Sequence, residues 1–284
     1  MTDPTRTAQE LPASPAPYIP PPPEGPQREI VVLHFSDPFR WLLRGAQDVW
    51  AAKGIALFYG ICFWAMALLL WAVFYRVPEY TMSMASGCLL LGPFLAMGLY
   101  DVSRRRERGE APDIVYSLTC WDAHIRSMGM LVLVLIVLEL LWGRASLVVF
   151  AVFFNTGMPS TAGVLQAVFN PENWEFVAVY LVVGGVFAAL VFACAVVSIP
   201  MILDRDTDAI TASITSLQVF FNNLPVLLLW GALISGLVFV ALLPWCAGLL
   251  LVGPWLGHAT WHAYRGSVRW LDTSPAGASP TVPR

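Results

Sequence analysis

Three apolar segments, each carrying a proline close to its polar end, constrain this chain more than any other feature. The segments lie at 91–105, 198–206 and 249–265, around Pro93, Pro200 and Pro254. A proline inside a helix releases one backbone carbonyl, which is tolerated in a membrane only against neighbouring helices or water. The pattern therefore predicts one unit used three times, with the proline-bearing helices in the centre and their partner helices outside.

The composition assigns the chain to the membrane class. Of its 284 residues 57% are apolar and 12% are charged, whereas a soluble domain is nearer a quarter charged. We predict an all-α membrane protein with six transmembrane helices. They form three pseudo-repeated hairpins, each preceded by a cytoplasmic amphipathic interfacial helix. The repeat units cover residues 37–108, 112–208 and 208–265.

The predicted crossings follow from apolar runs of about 20 residues, enough to span the hydrocarbon core. They run over residues 54–75, 81–100, 128–144, 176–203, 224–243 and 245–264. The third is the hardest to delimit, because Glu139 and Arg144 interrupt an apolar run that continues to Phe154. We expect this helix to leave the membrane near 142–144, with residues 145–173 lying along the outer interface.

Each interfacial helix is predicted to start after an aspartate that serves as its N-cap, namely Asp37, Asp113 or Asp208. In the first helix the apolar face contains Phe39, Leu42, Leu43, Ala46, Val49 and Trp50, and the opposite face contains Arg40, Arg44, Gln47 and Asp48. Such a helix lies on the membrane surface. Residues 29–35 are interpreted as a further interfacial segment.

The two ends of the chain are predicted to be disordered. Residues 1–28 form a proline-rich cytoplasmic tail, residues 29–270 form the six-helix membrane domain, and residues 271–284 form a second tail. With the N-terminus in the cytoplasm, Arg76 and Arg144 are the only outer members of the 16 Lys and Arg residues. This bias predicts that both termini are cytoplasmic.

If the three proline-bearing helices converge, their polar ends meet at the cytoplasmic mouth of the bundle. The residues in question are His258, His262, Asp204, Asp101 and Asp208. Carboxylates and imidazoles suit a divalent transition metal or a proton relay. Three structural alternatives stay open: Asp208 as a helix cap, an ion pair between Asp101 and Arg105, and histidines held at headgroup level.

Glu139 is the carboxylate that lies well inside an apolar run. Its charge costs about 2.5–3.5 kcal/mol at mid-bilayer, so it should face the bundle or be protonated. A functional role and a structural pair with Arg144 are both open. The chain contains no phosphate-binding loop, serine elbow or HExxH motif, so a non-catalytic protein is favoured over an enzyme. No cofactor is predicted apart from the divalent metal just described.

Four stretches together resemble one known family. They are Pro38–Leu42, Tyr100–Arg105, Leu203–Asp208 and Gly257–Arg265, the last reading GHATWHAYR. The chain resembles, over roughly residues 30–270, a family of predicted bacterial integral membrane proteins of unknown function. Some members carry the label of a cytochrome c oxidase subunit. The resemblance implies the fold and a location in the bacterial inner membrane; it implies no activity.

Three functions follow as hypotheses. The first is a non-catalytic inner-membrane protein that binds or helps to assemble a membrane complex, such as a respiratory one. The second is a transporter or permeation pathway for a small solute, ion or lipid, which the repeats and central prolines favour. The third is a metal-binding membrane protein. Nothing in the charge pattern indicates nucleic acid as a partner.

Overall fold

The computed structural model describes residues 27–76, 81–154, 173–243 and 245–271. Two short strands, β1 (Gln27–Ile30) and β2 (Val268–Leu271), pair with each other. The helices are α1 (Asp37–Ala51), α2 (Lys53–Arg76), α3 (Thr81–Glu107), α4 (Ile114–Thr119), α5 (Ile125–Phe153), α6 (Trp174–Ala195), α7 (Ser198–Arg205), α8 (Ala209–Asn222), α9 (Leu224–Leu242) and α10 (Leu249–Ser267). Residues 1–26 and 272–284, which make up most of the predicted tails, lie outside the described residues, as do residues 77–80 and 155–172.

The described residues between 29 and 269 form one compact unit. Four stretches of the described chain are long and apolar enough to cross a membrane: Lys53–Arg76, Ile114–Phe153, Trp174–Arg205 and Leu224–Leu242. The chain is thus a multi-pass membrane protein. Helices α3 and α10, which the prediction of six crossings requires, are not among the four. In α10 the second half is polar, yet the bundle buries it.

Pro200 divides the predicted fourth crossing into two helices, where the sequence predicted one helix over 176–203. Proline has no N–H to donate to the carbonyl four residues earlier, and its ring crowds that carbonyl. Helix α6 therefore ends at Ala195 and α7 starts at Ser198. Ser216 of α8 bridges the break, because its Oγ donates to the Ala193 carbonyl at 2.6 Å and accepts from the Val197 N–H at 3.2 Å.

Pro254 has a different effect, since α10 continues through it. The carbonyl of Leu250 loses its helical donor, and α2 lies directly against it at Gly60. A Cβ added to Gly60 would come within 2.9 Å of the Leu250 carbonyl carbon and closer still to its oxygen. Only a residue without a side chain permits this approach, so Gly60 fixes the distance between α2 and α10.

The predicted end of the third crossing is wrong. Helix α5 does not stop at 142–144 but runs without a break to Phe153, a length of about 44 Å at 1.5 Å per residue. Its last turns are held by an aromatic cluster in which Phe150, Phe153 and Phe154 surround Phe176 of α6. Residues 145–153 are therefore part of a helix–helix contact.

Helix α1 packs against α10 by a stripe of Trp41, Gly45 and Asp48, which are all buried. A Cβ on Gly45 would meet the backbone of Ala259 at 2.7–2.9 Å, so the two helices are in close contact there. Phe39, Leu43 and Trp50 point away and are exposed. The face of α1 that the sequence predicted to be polar is thus only partly exposed to solvent, because its Asp48 is buried against α10.

Two of the three predicted N-caps are confirmed. The carboxylate of Asp113 accepts from the N–H groups of Val115 and Tyr116, and that of Asp208 accepts from Thr211 N–H at 2.8 Å. Asp37 is instead the first residue of α1, with Ser36 before it. The second interfacial helix is short, since α4 ends at Thr119, and residues 27–30 form a strand where an interfacial segment was expected.

Candidate functional site

The polar ends of α1, α3 and α10 meet in a set of side chains that we call the polar cluster. It consists of Asp48 from α1, Ser103, Arg106 and Glu107 from α3, and His258 and His262 from α10. The three helices reach this point for separate reasons: Gly45 lets α1 approach α10, and the polar half of α10 is buried among its neighbours. The two predicted histidines therefore lie inside the protein.

Asp48 is the centre of the polar cluster and is only 4% exposed. Its Oδ2 accepts hydrogen bonds from Ser103 Oγ at 2.6 Å and from His262 Nε2 at 2.8 Å. Its Oδ1 accepts from the Arg106 guanidinium. A buried carboxylate is stable only when its lone pairs are satisfied in this way. One side chain of α1 is thus bonded to two other helices.

Ser103 relays the contact from Asp48 to His258, whose Nδ1 lies 2.8 Å from Ser103 Oγ. A serine hydroxyl has a single proton, and Ser103 donates it to Asp48. The His258 Nδ1 must then carry the proton of the second bond and donate to Ser103. This assigns the tautomer of a histidine that is completely buried.

His262 lies between two carboxylates. Its Nε2 contacts Asp48, and its Nδ1 is 3.5 Å from Glu107 Oε1. The Nε2–H donates to Asp48, whereas the Nδ1 faces Glu107 without forming a hydrogen bond. The contacts continue from His258 through Ser103, Asp48 and His262 to Glu107, so three helices are linked by one chain of polar side chains.

The charges around the two carboxylates favour their ionised forms. Burial opposes ionisation of Asp48, but hydrogen bonds from His262 and Ser103 outweigh it and hold the pKa of Asp48 below its usual value. Burial also opposes ionisation of Glu107, and contacts with His262 and Arg265 lower the pKa of that carboxyl. Both groups are therefore anions at neutral pH.

Asp204 belongs to a neighbouring group on the other side of α10. Its Oδ2 accepts a hydrogen bond from the Tyr264 hydroxyl at 2.9 Å and lies 3.6 Å from Arg265. Arg108 and Arg205 lie at 3.7 and 3.6 Å from the same carboxylate. Arg265 also binds Glu107 at 3.1 Å, so it joins the Asp204 group to the polar cluster.

Asp101 and Asp208 do not contact the histidines. Asp101 pairs with Arg104 at 2.6 Å, and Arg104 donates to the Leu203 carbonyl, which ties α3 to α7. The expected pair with Arg105 is wrong, because that arginine faces Glu110. Asp208 caps α8, and hydrogen bonds from the side chain and then the N–H of Thr211 lower the pKa of its carboxyl.

Four members of the polar cluster were not predicted as site residues from the sequence: Asp48, Ser103, Arg106 and Glu107. The predicted second crossing ended at residue 100, but α3 continues through Glu107 and carries the last three. Asp48 was assigned to the solvent face of α1. The spacing of Trp41, Gly45 and Asp48 by four and three residues was the available signal, since it marks a helix face that includes a glycine.

A second site lies at the level of the apolar segments, and we call it the apolar cavity. It has a volume of about 940 Å³ between α2, α3, α5 and α6. Its walls are almost wholly apolar and include Gly92, Pro93 and Trp142, with Glu139 as the carboxylate among them. Neither Asp204 nor His258 lines it. Within the described ranges, no group of three His, Cys, Asp or Glu side chains is placed to hold one metal ion.

The comparison with protein families gives one match. The model of DUF2189, described as a predicted integral membrane protein, matches residues 80–204. The resemblance to a family of such proteins is confirmed over this part, which is less than half of the chain. The match includes Glu139 and the α3 members of the polar cluster, and it ends before the GHATWHAYR stretch. Searches of curated proteins and of solved structures find no match.

Proposed function

We propose that this protein binds a lipophilic molecule in the apolar cavity and acts in the permeation or transport of a lipid-like solute. The observation that carries the proposal is the cavity itself. Its volume of about 940 Å³ lies within the range of roughly 300–1,000 Å³ that ligand sites occupy. A hydrophilic solute is disfavoured, because an apolar wall offers too few partners for water or ions.

Glu139 supplies the one carboxylate of the cavity wall. A carboxylate at this depth is costly and is commonly retained for a functional role. It suits an occupant with one polar hydrogen-bond donor, such as a hydroxyl or an amine, at the end of an apolar body. The proposed ligand is therefore amphipathic, with its polar group at Glu139 and its chain against α2, α3 and α6.

The proposed topology has six crossings, with both termini in the cytoplasm of a bacterium and the bundle in its inner membrane. The four apolar stretches provide four crossings, and α3 and α10 provide the other two as helices shielded by their neighbours. The distribution of Lys and Arg supports the orientation. Reporter fusions at each terminus test it, and a reporter signal from outside the cytoplasm would contradict it.

The test of the cavity fills it at a glycine. A Cβ on Gly92 meets nothing within 4 Å, and Gly92 lines the cavity. Gly92→Trp should weaken binding of a pyrene-labelled fatty alcohol to the purified protein about fivefold or more, by occupying the space of the ligand. Gly236→Trp is the matched control, since this helical glycine also has open space but does not line the cavity.

Glu139→Gln keeps the shape of the wall and removes its charge. It should reduce the preference for a fatty amine over a hydrocarbon of the same length. Equal binding of the probe to the wild type and to Gly92→Trp would refute the proposal. The predicted role in assembling a membrane complex stays a prediction, because lipid accounts equally well for the exposed apolar side chains.

A further inference from the structure

A charged pocket lies at the polar cluster, and its lining of charged and polar side chains distinguishes it from the apolar cavity. Its volume is about 340 Å³, and its lining consists of Arg44, Gln47, Asp48, Ser103, Arg106, Glu107 and His262. An apolar groove of about 470 Å³ adjoins it, with a lining of Leu43, Ala46, Gln47, Trp50, Ala51 and Arg106. Gln47 and Arg106 belong to both, so the charged pocket opens into the apolar groove.

The positive charge that is available in the charged pocket is Arg44. Arg106 is committed to Asp48, whereas Arg44 is exposed and has no ion pair within the described parts of the chain. Lys53 adds a second cation at the groove, where its ammonium lies 4.2 Å above the ring of Trp50. Cations in this arrangement favour a phosphate group.

The negative charge on the opposite side is Glu107, whose side chain is 33% exposed. Its neighbour Asp48 is almost fully buried, with its oxygens bonded to Ser103, Arg106 and His262. The Glu107 oxygens already contact Arg265 at 3.1 Å and His262 at 3.5 Å, but the exposed part of this carboxylate can still accept from a ligand, while Asp48 cannot. A ligand that carries a phosphate and a primary ammonium would match Arg44 and Glu107 together.

The apolar groove favours a membrane lipid as the ligand of the charged pocket. Leu43 and Trp50 are 63% and 73% exposed. They lie on a face of α1 that a water-soluble ligand without an acyl chain would not cover. In a multi-pass membrane protein such a face meets acyl chains, and tryptophan favours the level of the headgroups. The groove thus continues the charged pocket in the order that a phospholipid presents: headgroup first, then chain.

We propose that the charged pocket and the apolar groove bind one phospholipid with a phosphoethanolamine headgroup. The phosphate binds Arg44, the ammonium binds Glu107, and the first part of an acyl chain lies along Leu43 and Trp50. This site is separate from the apolar cavity and does not depend on its function. It places a lipid against the helix that carries Asp48, next to the contacts that join α1 to α3 and α10.

The experiment uses the purified full-length chain and native mass spectrometry with added lipids. Phosphatidylethanolamine should bind more tightly than phosphatidylcholine, whose methylated nitrogen cannot donate to Glu107, and than phosphatidylglycerol, which has no ammonium. Arg44→Gln should weaken phosphatidylethanolamine about tenfold, because one charge-assisted contact is lost. Arg126→Gln is the matched control: Arg126 is an exposed arginine of α5 that lines neither pocket.

Two further arms separate the lipid from its soluble headgroup. Glycerophosphoethanolamine, which has no acyl chains, should compete poorly, and Leu43→Ser should weaken the lipid without changing the order of the headgroups. Glu107→Gln should abolish the preference for ethanolamine over choline. Equal binding of the three lipids, an unaffected Arg44→Gln protein, or full competition by the soluble headgroup would each overturn the proposal.

Discussion

The substitution Asp48→Asn tests whether the polar cluster holds the three helices together. Asparagine has nearly the same size as aspartate but no charge, and its amide replaces one acceptor oxygen by a donor. In the wild type both oxygens accept, from Ser103, His262 and Arg106. After the substitution at least one of these donors faces an N–H₂ group and loses its partner.

The magnitude follows from the exposure of each partner. The bond to His262 joins side chains that are 7% and 6% exposed, and a buried charge-assisted bond contributes about 1.5–3 kcal/mol. The Arg106 side chain is 39% exposed, so water screens that pair to about 1 kcal/mol or less. Ser103 adds about 1 kcal/mol as a hydroxyl donor. Allowing for the one oxygen that remains, we expect a loss of about 2–3 kcal/mol.

The assay is unfolding of the detergent-solubilised protein by dodecyl sulfate, followed by tryptophan fluorescence and circular dichroism. Asp37→Asn is the control on the same helix. Asp37 pairs with Arg40, whose side chain is 68% exposed, so this change should cost about 1 kcal/mol or less. If Asp48→Asn unfolds at the same dodecyl sulfate fraction as the wild type, Asp48 is not bonded across the helices and the reasoning fails.

Two more predictions concern pH and helix packing. Because the pKa values of Asp48 and Glu107 are lowered in the folded protein, their contribution to stability is complete above the usual carboxyl range and is lost as pH falls below about 4. Unfolding midpoints measured at pH 7, 5, 4 and 3 should show that Asp48→Asn loses less stability on acidification than the wild type. Equal losses of stability in the two proteins would contradict this. Gly60→Ala should cost about 1–3 kcal/mol of stability, because the backbone of Leu250 cannot rotate away from the new methyl group. Gly54→Ala on the same helix is the control and should be neutral, since a methyl group there meets open space. Equal unfolding midpoints for the two variants would show that α2 and α10 are not in contact at Gly60.

Much of the helical framework was accessible from the residues alone. The first and fifth crossings were predicted at 54–75 and 224–243, and the helices run over Lys53–Arg76 and Leu224–Leu242. The caps at Asp113 and Asp208 were also predicted. These features depend on hydropathy over about 20 residues or on bonds spanning three residues, so the local sequence is sufficient to predict them.

The continuation of α5 to Phe153 was missed for a related reason. Glu139 and Arg144 are polar enough to end an apolar run in the sequence. A helix can continue through them, however, because it requires only backbone hydrogen bonds within the segment. Glu139 lines the apolar cavity between the helices, so its side chain does not interrupt α5. The aromatic contacts of Phe150 and Phe153 with Phe176 then hold the extra turns, and such contacts between helices leave no local trace.

The amino-acid sequence by itself determined the membrane class, most of the helix positions and the places where prolines disturb the backbone, since each is a property of neighbouring residues. The tertiary structure alone decided which polar groups meet. Asp48 and His262 are 214 positions apart, and their contact requires Gly45 and the polar half of α10 to lie together. Hydropathy indicates that a segment is excluded from water, but it does not identify the helix that packs against it. Whether a charged side chain is buried therefore depends on how the helices pack.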